Sequence, residues 1–163
     1  MRIVAVTGGA AEGAGALLEE LEGRAELRRV PLEPERGSEL HRTAAALLAL
    51  EPRLGDLRPA AVLVSGEGVA ALSAALAAAK LDMPLIRLGA GVRSGERREA
   101  EEINRTIADR VCDLLLCVDG AELDNLRREG LAEGAELVAD PALDPAPAAD
   151  AVLAWLDSYT SRA

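Results

Sequence analysis

Short apolar runs alternate along this chain with longer segments of helical period, and that alternation predicts βαβ units in a parallel sheet. The predicted strands are residues 2–6, 25–32, 60–64, 85–88, 113–118 and 136–139. The predicted helices are residues 12–21, 38–50, 68–80, 99–111, 121–129 and 149–159. The pattern therefore predicts an α/β fold, a three-layer doubly wound parallel sheet, in a single domain that covers residues 1–163.

Two of these segments carry more specific expectations. The helix at residues 68–80 is so rich in alanine that we expect it to lie close against the sheet. The closing helix at residues 149–159 places Val152, Leu156 and Tyr159 on one apolar face, together with Leu153. Before it, the segment 141–147 is rich in proline, aspartate and alanine, which predicts a loop or strap.

Length and composition indicate a folded domain with a small-residue core. The chain has 163 residues, half of them hydrophobic, but Trp155 and Tyr159 are its only aromatic side chains. The core must therefore be built from alanine, leucine and valine. No apolar run reaches the roughly 18 residues of a membrane span, and the apolar start is too short for a signal peptide. We expect a cytoplasmic protein with no membrane partner.

Charge and cysteine content restrict the classes of ligand. The net charge of −10 argues against a nucleic-acid-binding surface. Cys112, Cys117 and the single histidine, His41, do not make up a metal-ligand set, so no metal is expected. The two cysteines are interpreted as small buried hydrophobes in a reducing compartment. No cofactor is predicted.

The carboxyl ends of the strands are where ligands bind in such sheets, and three loops lie there. The first contains Gly8 and Gly9 before the first helix. Backbone N–H groups at a helix N-terminus suit an anion, but the loop lacks the dinucleotide pattern and has no lysine for a phosphate. The alternative is that these glycines serve only a tight turn between strand and helix.

The second loop places a single carboxylate, Glu67, just after a buried strand. In that position it can act as an acid, a base or a ligand to a sugar hydroxyl. It can equally be an acidic residue that complements the dipole of the following helix.

The third loop combines glycines with a concentration of arginines. Gly89 and Gly91 allow a ligand or another backbone to approach closely. The arginines form a basic island in an acidic chain: Arg87, Arg93, Arg97, Arg98 and Arg105. The alternative is that they pair with acidic neighbours on a solvated helix face: Glu96, Glu99, Glu101 and Glu102.

At this loop the sequence resembles the N-terminal half of the non-hydrolysing UDP-N-acetylglucosamine 2-epimerases, most clearly over residues 59–130. Residues 87–93 stand where the family has His-Val-Glu-Ala-Gly-Leu-Arg, and residues 65–69 where it has His-Gly-Asp-Thr-Thr. Residues 100–109, Ala-Glu-Glu-Ile-Asn-Arg-Thr-Ile-Ala-Asp, match its Pro-Glu-Glu-x-Asn-Arg-x-x-x-Asp. Residues 125–130, Asn-Leu-Arg-Arg-Glu-Gly, correspond to the family's Asn-Leu-Leu-Arg-Glu-Gly. Residues 8–12, Gly-Gly-Ala-Ala-Glu, stand where it has Gly-Thr-Arg-Pro-Glu.

The resemblance implies a Rossmann-like domain that forms one half of a GT-B fold, with a UDP-sugar in the cleft between the halves. It implies an isomerase that inverts C2 by elimination and re-addition of UDP. It places the catalytic carboxylates at Glu67, Glu101 and Glu102. The ligand-binding positions that it implies are Gly8, Gly9, Glu12, Gly91, Arg93, Asn104 and Arg105.

The chain departs from the family pattern at positions that carry chemistry. Gly89 replaces the glutamate of the third loop, and Arg87 replaces its histidine. Glu67 is one methylene longer than the family's aspartate, and the loop-one arginine is Ala10. We therefore expect a catalytically impaired half that acts as a binding or interaction module for a UDP-sugar, another anionic small molecule or a protein, including a second copy of itself. The alternative is an epimerase that becomes active when a separate UDP-binding half joins it.

Overall fold

The computed structural model describes residues 1–8, 14–32 and 36–161, and in it six parallel strands form one sheet. The strands are β1 (Arg2–Thr7), β2 (Glu26–Pro31), β3 (Ala61–Ser65), β4 (Leu85–Leu88), β5 (Leu114–Cys117) and β6 (Ala135–Leu137). Their order across the sheet is β2-β1-β3-β4-β5-β6. The strand order reverses between β1 and β3, which is where such sheets bind ligands.

The helices cover both faces of the sheet, as the predicted three-layer architecture requires. They are α1 (Ala14–Glu22), α2 (Glu39–Leu57), α3 (Val69–Lys80), α4 (Ala100–Val111), α5 (Gly120–Arg128) and α6 (Ala146–Thr160). The first and last of them, α1 and α6, pack on one face. The other four pack on the opposite face. A doubly wound α/β sheet is thus confirmed.

The central strands are buried on both faces, which explains their continuous apolar sequences. In β1, Ile3 and Ala5 pack towards α1 and α6, while Val4 and Val6 pack towards α2 and α3. The edge strand β2 buries only Val30 to the same degree. The outer strands are accordingly the ones whose sequences are least apolar.

Helix α2 is longer than the predicted 38–50, because it continues through Pro52 to Leu57. A proline inside a helix removes one hydrogen bond and costs about 3 kcal/mol. Pro52 is exposed, whereas Leu54, one half-turn later, is fully buried. Burial of that leucine favours continuation of the helix beyond the proline.

Helix α6 begins at Ala146, three residues before the predicted start. The predicted strap at 141–147 therefore overlaps the first turn of this helix, where proline is tolerated because the N–H has no helical partner anyway. Residues 141–143 form a turn, and Pro141 is buried.

The apolar faces that the sequence predicts for α3 and α6 are largely interior. The alanines of α3 lie against the sheet as expected, and Val152 and Leu156 of α6 are fully buried. Tyr159 is partly exposed and its ring lies 5.0 Å from that of Trp155. In the described residues, no helix is both long and apolar enough to cross a bilayer.

Candidate functional site

A cleft of about 730 Å³ opens at the carboxyl ends of the strands, beside the point where the strand order reverses. Its wall on one side is a face of α2, and its base is formed by the loops that follow β3 and β4. The rim is completed by Asp140 and by Pro141, which is the first residue of the predicted strap. The cleft thus lies where the sequence predicts a ligand.

The first turn of α3 lines this cleft. Gly68 is the N-cap residue and supplies no side-chain hydrogen bond, so the first-turn N–H groups are not capped by that residue. Gly8 lies directly beneath, where a Cβ would stand 2.1 Å from the Cβ of Ala70. Glycine is required at position 8 because β1 and α3 approach closely there. Gly9 and Glu12 lie outside the described residues.

Arg105, which lines the cleft, contacts three acidic residues. Its Nη1 forms an ion pair with Glu67, its Nε lies 3.1 Å from Oε2 of Glu102, and its Nη2 lies 3.5 Å from Oε2 of Glu99. Only 8% of the Arg105 side chain is exposed, whereas 55% of the Glu67 side chain is exposed. Glu67 is neither a free acid or base in the cleft nor only a partner of the helix dipole, because its carboxylate forms an ion pair with a buried arginine of α4.

Glu102 is held by the loop that precedes α4. Its carboxylate accepts hydrogen bonds from the backbone N–H groups of Ser94 and Gly95 at 3.1 and 3.2 Å. Burial acts to raise the pKa of Glu102, but these two bonds and the Arg105 contact outweigh it, and the net pKa lies below the ordinary value. A carboxylate held ionised by three donors is poorly suited to exchange protons with a ligand.

Asn104 and Glu101 have different surroundings in the first turns of α4. The Nδ2 of Asn104 donates to the backbone oxygen of Glu67 at 2.9 Å, so it holds the second loop in place. Glu101 is exposed. Of the three predicted catalytic carboxylates, Glu67 lines the cleft.

A second ionic group, the Asp109 cluster, is formed by Arg87, Gly91, Arg93, Asp109 and Glu129. Asp109 is fully buried and accepts from Arg87 Nε at 3.1 Å, Gly91 N–H at 3.0 Å and Arg93 Nη1 at 2.8 Å. Arg93 also makes two parallel bonds to Glu129, at 2.8 and 2.7 Å. The cluster fixes the third loop to α4 and α5.

Gly91 is at the centre of that attachment. Its φ is +86°, and a Cβ would lie 2.3 Å from the backbone oxygen of Glu122. Its own backbone oxygen accepts from Asn125 Nδ2 at 2.8 Å. These contacts give both Gly91 and Arg93 a structural role in the fold that does not require a ligand.

The predicted basic island is divided by the fold. Arg87, Arg93 and Arg105 are buried or nearly so and bind carboxylates of α4 and α5. Arg97 and Arg98 are exposed in the preceding loop. The alternative of pairing with the acidic neighbours holds in part for Arg105, which contacts Glu99 and Glu102. It does not hold for Arg87 and Arg93, because their partners are Asp109 and Glu129.

Gly89 faces the cleft without a side chain. It lines the cleft at the end of β4, and nothing lies within 4 Å of the position that a Cβ would take. Its φ of +70° is left-handed, a conformation that side chains rarely adopt. The cleft therefore has room at the position where the family resemblance places a glutamate.

Sequence reasoning missed the contribution of α2. Arg42, Ala45, Ala46, Ala49 and Arg53 line the cleft. Their spacing of three, one, three and four residues is that of one helical face, and an arginine at each end of an alanine stripe was the available signal. Predicted residues that do line the cleft are Gly8, Glu67 and Arg105.

The two cysteine thiols are shielded from solvent, wholly or in part, and have raised pKa values. Cys117 is fully buried and Cys112 is half-buried, and neither is in a disulfide. Burial raises the pKa of both thiols to about 12. Among the residues that the structure describes, no three metal-ligating side chains gather.

Comparison with known proteins identifies one family. A family model described as UDP-N-acetylglucosamine 2-epimerase matches residues 10–153, a wider region than the predicted 59–130. A UDP-2,3-diacetamido-2,3-dideoxy-D-glucuronate 2-epimerase of Pseudomonas aeruginosa is 41% identical over 88 residues, 54% of this chain and 25% of that protein. A UDP-N-acetylglucosamine 2-epimerase of Methanocaldococcus jannaschii is 34% identical over 97 residues, 60% of this chain and 26% of that protein.

Solved structures show the same fold. The M. jannaschii UDP-GlcNAc 2-epimerase in complex with UDP-GlcNAc and UDP superposes with a TM-score of 0.81 at 22% identity, covering 85% of this chain and 46% of that one. The Neisseria meningitidis enzyme bound to UDP-GlcNAc gives a TM-score of 0.82 at 19% identity, covering 89% and 47%. The matches span about a quarter of the curated relatives and about half of these solved chains. The chain has the fold of one half of a GT-B protein and belongs to the UDP-N-acetylglucosamine 2-epimerase family.

Proposed function

We propose that this chain is a catalytically impaired member of its family that binds a UDP-sugar, or another anionic small molecule, in the cleft without converting it. One observation carries the proposal. The described residues that line the cleft include four arginines and two acidic residues, Glu67 and Asp140. The lining residues themselves carry a net charge of +2 within a chain of net charge −10, although Arg87 and Arg105 also contact Asp109, Glu99 and Glu102 outside the lining. Arginine side chains that line a cleft favour anions.

The same lining argues against turnover. Epimerisation at C2 needs groups that remove and return a proton, and loss of one such group commonly costs 10²–10⁴ in rate. Glu67 is paired with Arg105, Glu102 is held by Ser94, Gly95 and Arg105, and Gly89 has no side chain. Binding is thus supported by the cleft, while its proton-transfer equipment is incomplete.

Proton NMR with UDP-N-acetylglucosamine in heavy water tests both halves of this proposal. We expect broadening of the uridine signals on adding the protein, with no loss of the C2 proton signal and no manno epimer. Exchange at C2 that is faster than with a Glu67→Gln control would show that catalysis survives. Unchanged uridine line widths would instead remove the binding function.

A family enzyme completed by a separate half is the second candidate. It is favoured by the coverage of the solved chains, of which this chain matches 46–47%. Mixing this chain with the separately expressed C-terminal half of the M. jannaschii enzyme tests it. Epimer formation above that of the added half alone would establish this candidate in place of the impaired one.

A homodimer through α4 forms part of the proposal. Ile103 and Ile107 lie four residues apart on this helix, with 43% and 36% of their surface exposed. Sedimentation equilibrium should show a dimer that Ile107→Glu dissociates, whereas Leu40→Glu, on exposed α2, should leave it intact. A monomer at every concentration would contradict this part. A cytoplasmic location is likewise proposed, supported by the two cysteines, which do not form a disulfide with each other.

A further inference from the structure

One guanidinium nitrogen beside the cleft has no partner among the described residues. Arg87 is 1% exposed, yet its Nη1 makes no hydrogen bond. Buried polar groups are almost always paired, and an unpaired charged donor costs more than a neutral one. This atom is therefore one that a ligand would satisfy.

The charge of Arg87 is also incompletely balanced. Its carboxylate partner is Asp109, which it contacts through Nε at 3.1 Å. Asp109 is shared with Arg93 and with the N–H of Gly91. One carboxylate thus serves two guanidinium groups, although Arg93 has Glu129 as well. Of the two arginines, Arg87 keeps the larger unmatched positive charge.

Two further donor groups lie on the same cleft. Arg42, on α2, has a buried Nε without a hydrogen-bond partner. The first turn of α3 presents its N–H groups beyond an N-cap glycine that offers no side-chain bond. A helix N-terminus favours an anion through its partial positive charge. Arg87, Arg42 and Val69 all line this one cleft.

We propose that Arg87 binds an oxyanion of the ligand at the base of this cleft. The chemistry is a carboxylate or phosphate oxygen that accepts from the Arg87 guanidinium, with the α3 N-terminus and Arg42 alongside. The oxyanion site itself does not depend on the proposed function. Only the identity of the rest of the ligand, a UDP-sugar, rests on it. It makes Arg87 the residue that decides between charged and neutral ligands.

Isothermal titration with four probes separates the sources of the oxyanion: inorganic phosphate, UDP, UDP-N-acetylglucosamine and UDP-glucuronate. For Arg87→Met we expect about 10- to 100-fold weaker binding of the probe whose oxyanion Arg87 holds, since bonds to charged groups contribute about 1.5–3 kcal/mol. Equal losses for UDP and both sugars identify the phosphate. A loss confined to UDP-glucuronate identifies the sugar carboxylate.

Arg53→Met is the matched control, because Arg53 lines the same cleft but donates to the backbone oxygen of Pro31. We expect its effect to be within about threefold, as for removal of a screened surface charge. Equal losses of affinity in both variants would mean that binding depends only on the overall charge of the cleft, and this would overturn the assignment. Unchanged affinities in Arg87→Met would do the same.

Guanidinium ¹⁵N NMR of the wild-type protein keeps the test independent of that variant's folding. Inorganic phosphate should shift the Arg87 signals in preference to those of Arg53, and no shift with any probe contradicts the proposal. If phosphate shifts Arg87 while neither nucleotide sugar binds, the UDP-sugar part of the proposed function fails and the oxyanion site stands. If a nucleotide sugar binds without shifting the Arg87 signals, the proposed function stands and the assignment of Arg87 fails.

Discussion

At the scale of single residues, the glycines of the third loop have separate reasons to be glycine. Gly89 and Gly91 both have positive φ, at +70° and +86°. A Cβ at Gly89 would meet nothing, whereas one at Gly91 would collide with the backbone of Glu122. Sequence alone shows only that both are glycine.

Gly91→Ala is therefore expected to destabilise the protein more than Gly89→Ala. Both substitutions cost about 1–2 kcal/mol for the left-handed backbone, and Gly91→Ala must also move α5. Urea denaturation midpoints of the two variants measure the difference. Equal losses would mean that the loop and α5 separate at little cost.

Glu102 is expected to make stability depend on pH. Its folded-state pKa is lowered, so its contribution is complete above the unfolded pKa, about 4.5, and is lost as the pH falls through the folded pKa. Glu102→Gln should thus be less stable than wild type at pH 7, and the gap should narrow as the pH falls below about 4.5.

Thermal unfolding between pH 3 and pH 7 measures the difference in stability between wild type and Glu102→Gln. Glu101→Gln is the control, since that neighbouring side chain is exposed and should give no comparable gap. A gap for Glu102→Gln that stays constant over the whole range would refute the assignment of the pH dependence to this carboxylate.

At the scale of elements, α2 shows tertiary packing overriding local preference. Its Pro52 is exposed, while Leu50 and Leu54 on either side are fully buried. The sequence pattern predicted that this helix ends near residue 50. Packing of Leu54 against the sheet carries the helix on to Leu57.

Pro52→Ala should stabilise the protein, by up to about 3 kcal/mol, because it restores a helical hydrogen bond and relieves the ring's clash with the preceding turn. Pro147→Ala, in the first turn of α6, should give no such gain. Melting temperatures of the two variants provide the comparison. A gain at position 147 equal to that at 52 would contradict the explanation.

At the scale of the whole molecule, Asp109 connects the sheet to two helices. It binds Arg87 of β4 and Arg93 of the third loop, and Arg93 continues to Glu129 after α5. These contacts bring together residues that are up to 42 positions apart in sequence. The connection also holds Arg87, which lines the cleft.

Asp109→Asn should cost about 3–5 kcal/mol, the usual penalty for removing one partner from a buried ion pair. Asp124→Asn is the control, because its ion pair with Arg127 is exposed on both sides and should contribute about 0–1 kcal/mol. Guanidinium denaturation measures both. A loss below about 1 kcal/mol for Asp109→Asn would show that the cluster is not essential to the fold.

The sequence by itself determined the order of strands and helices and the edge of the sheet at which the cleft lies. Periodicity is local, and β4 has the predicted bounds because its apolar run lies between a proline and a glycine. Motif spacing identified the family, and the departure at Gly89 was visible without a structure.

Only the tertiary structure decided what each charged residue does. Arg87 and Arg97 belong to the same predicted island, but one is buried against Asp109 and the other is exposed. Arg42 and Arg53 join the cleft from a helix that is distant in sequence. Ion pairing and burial depend on which elements meet in space, and sequence spacing reports that only within one helix or strand.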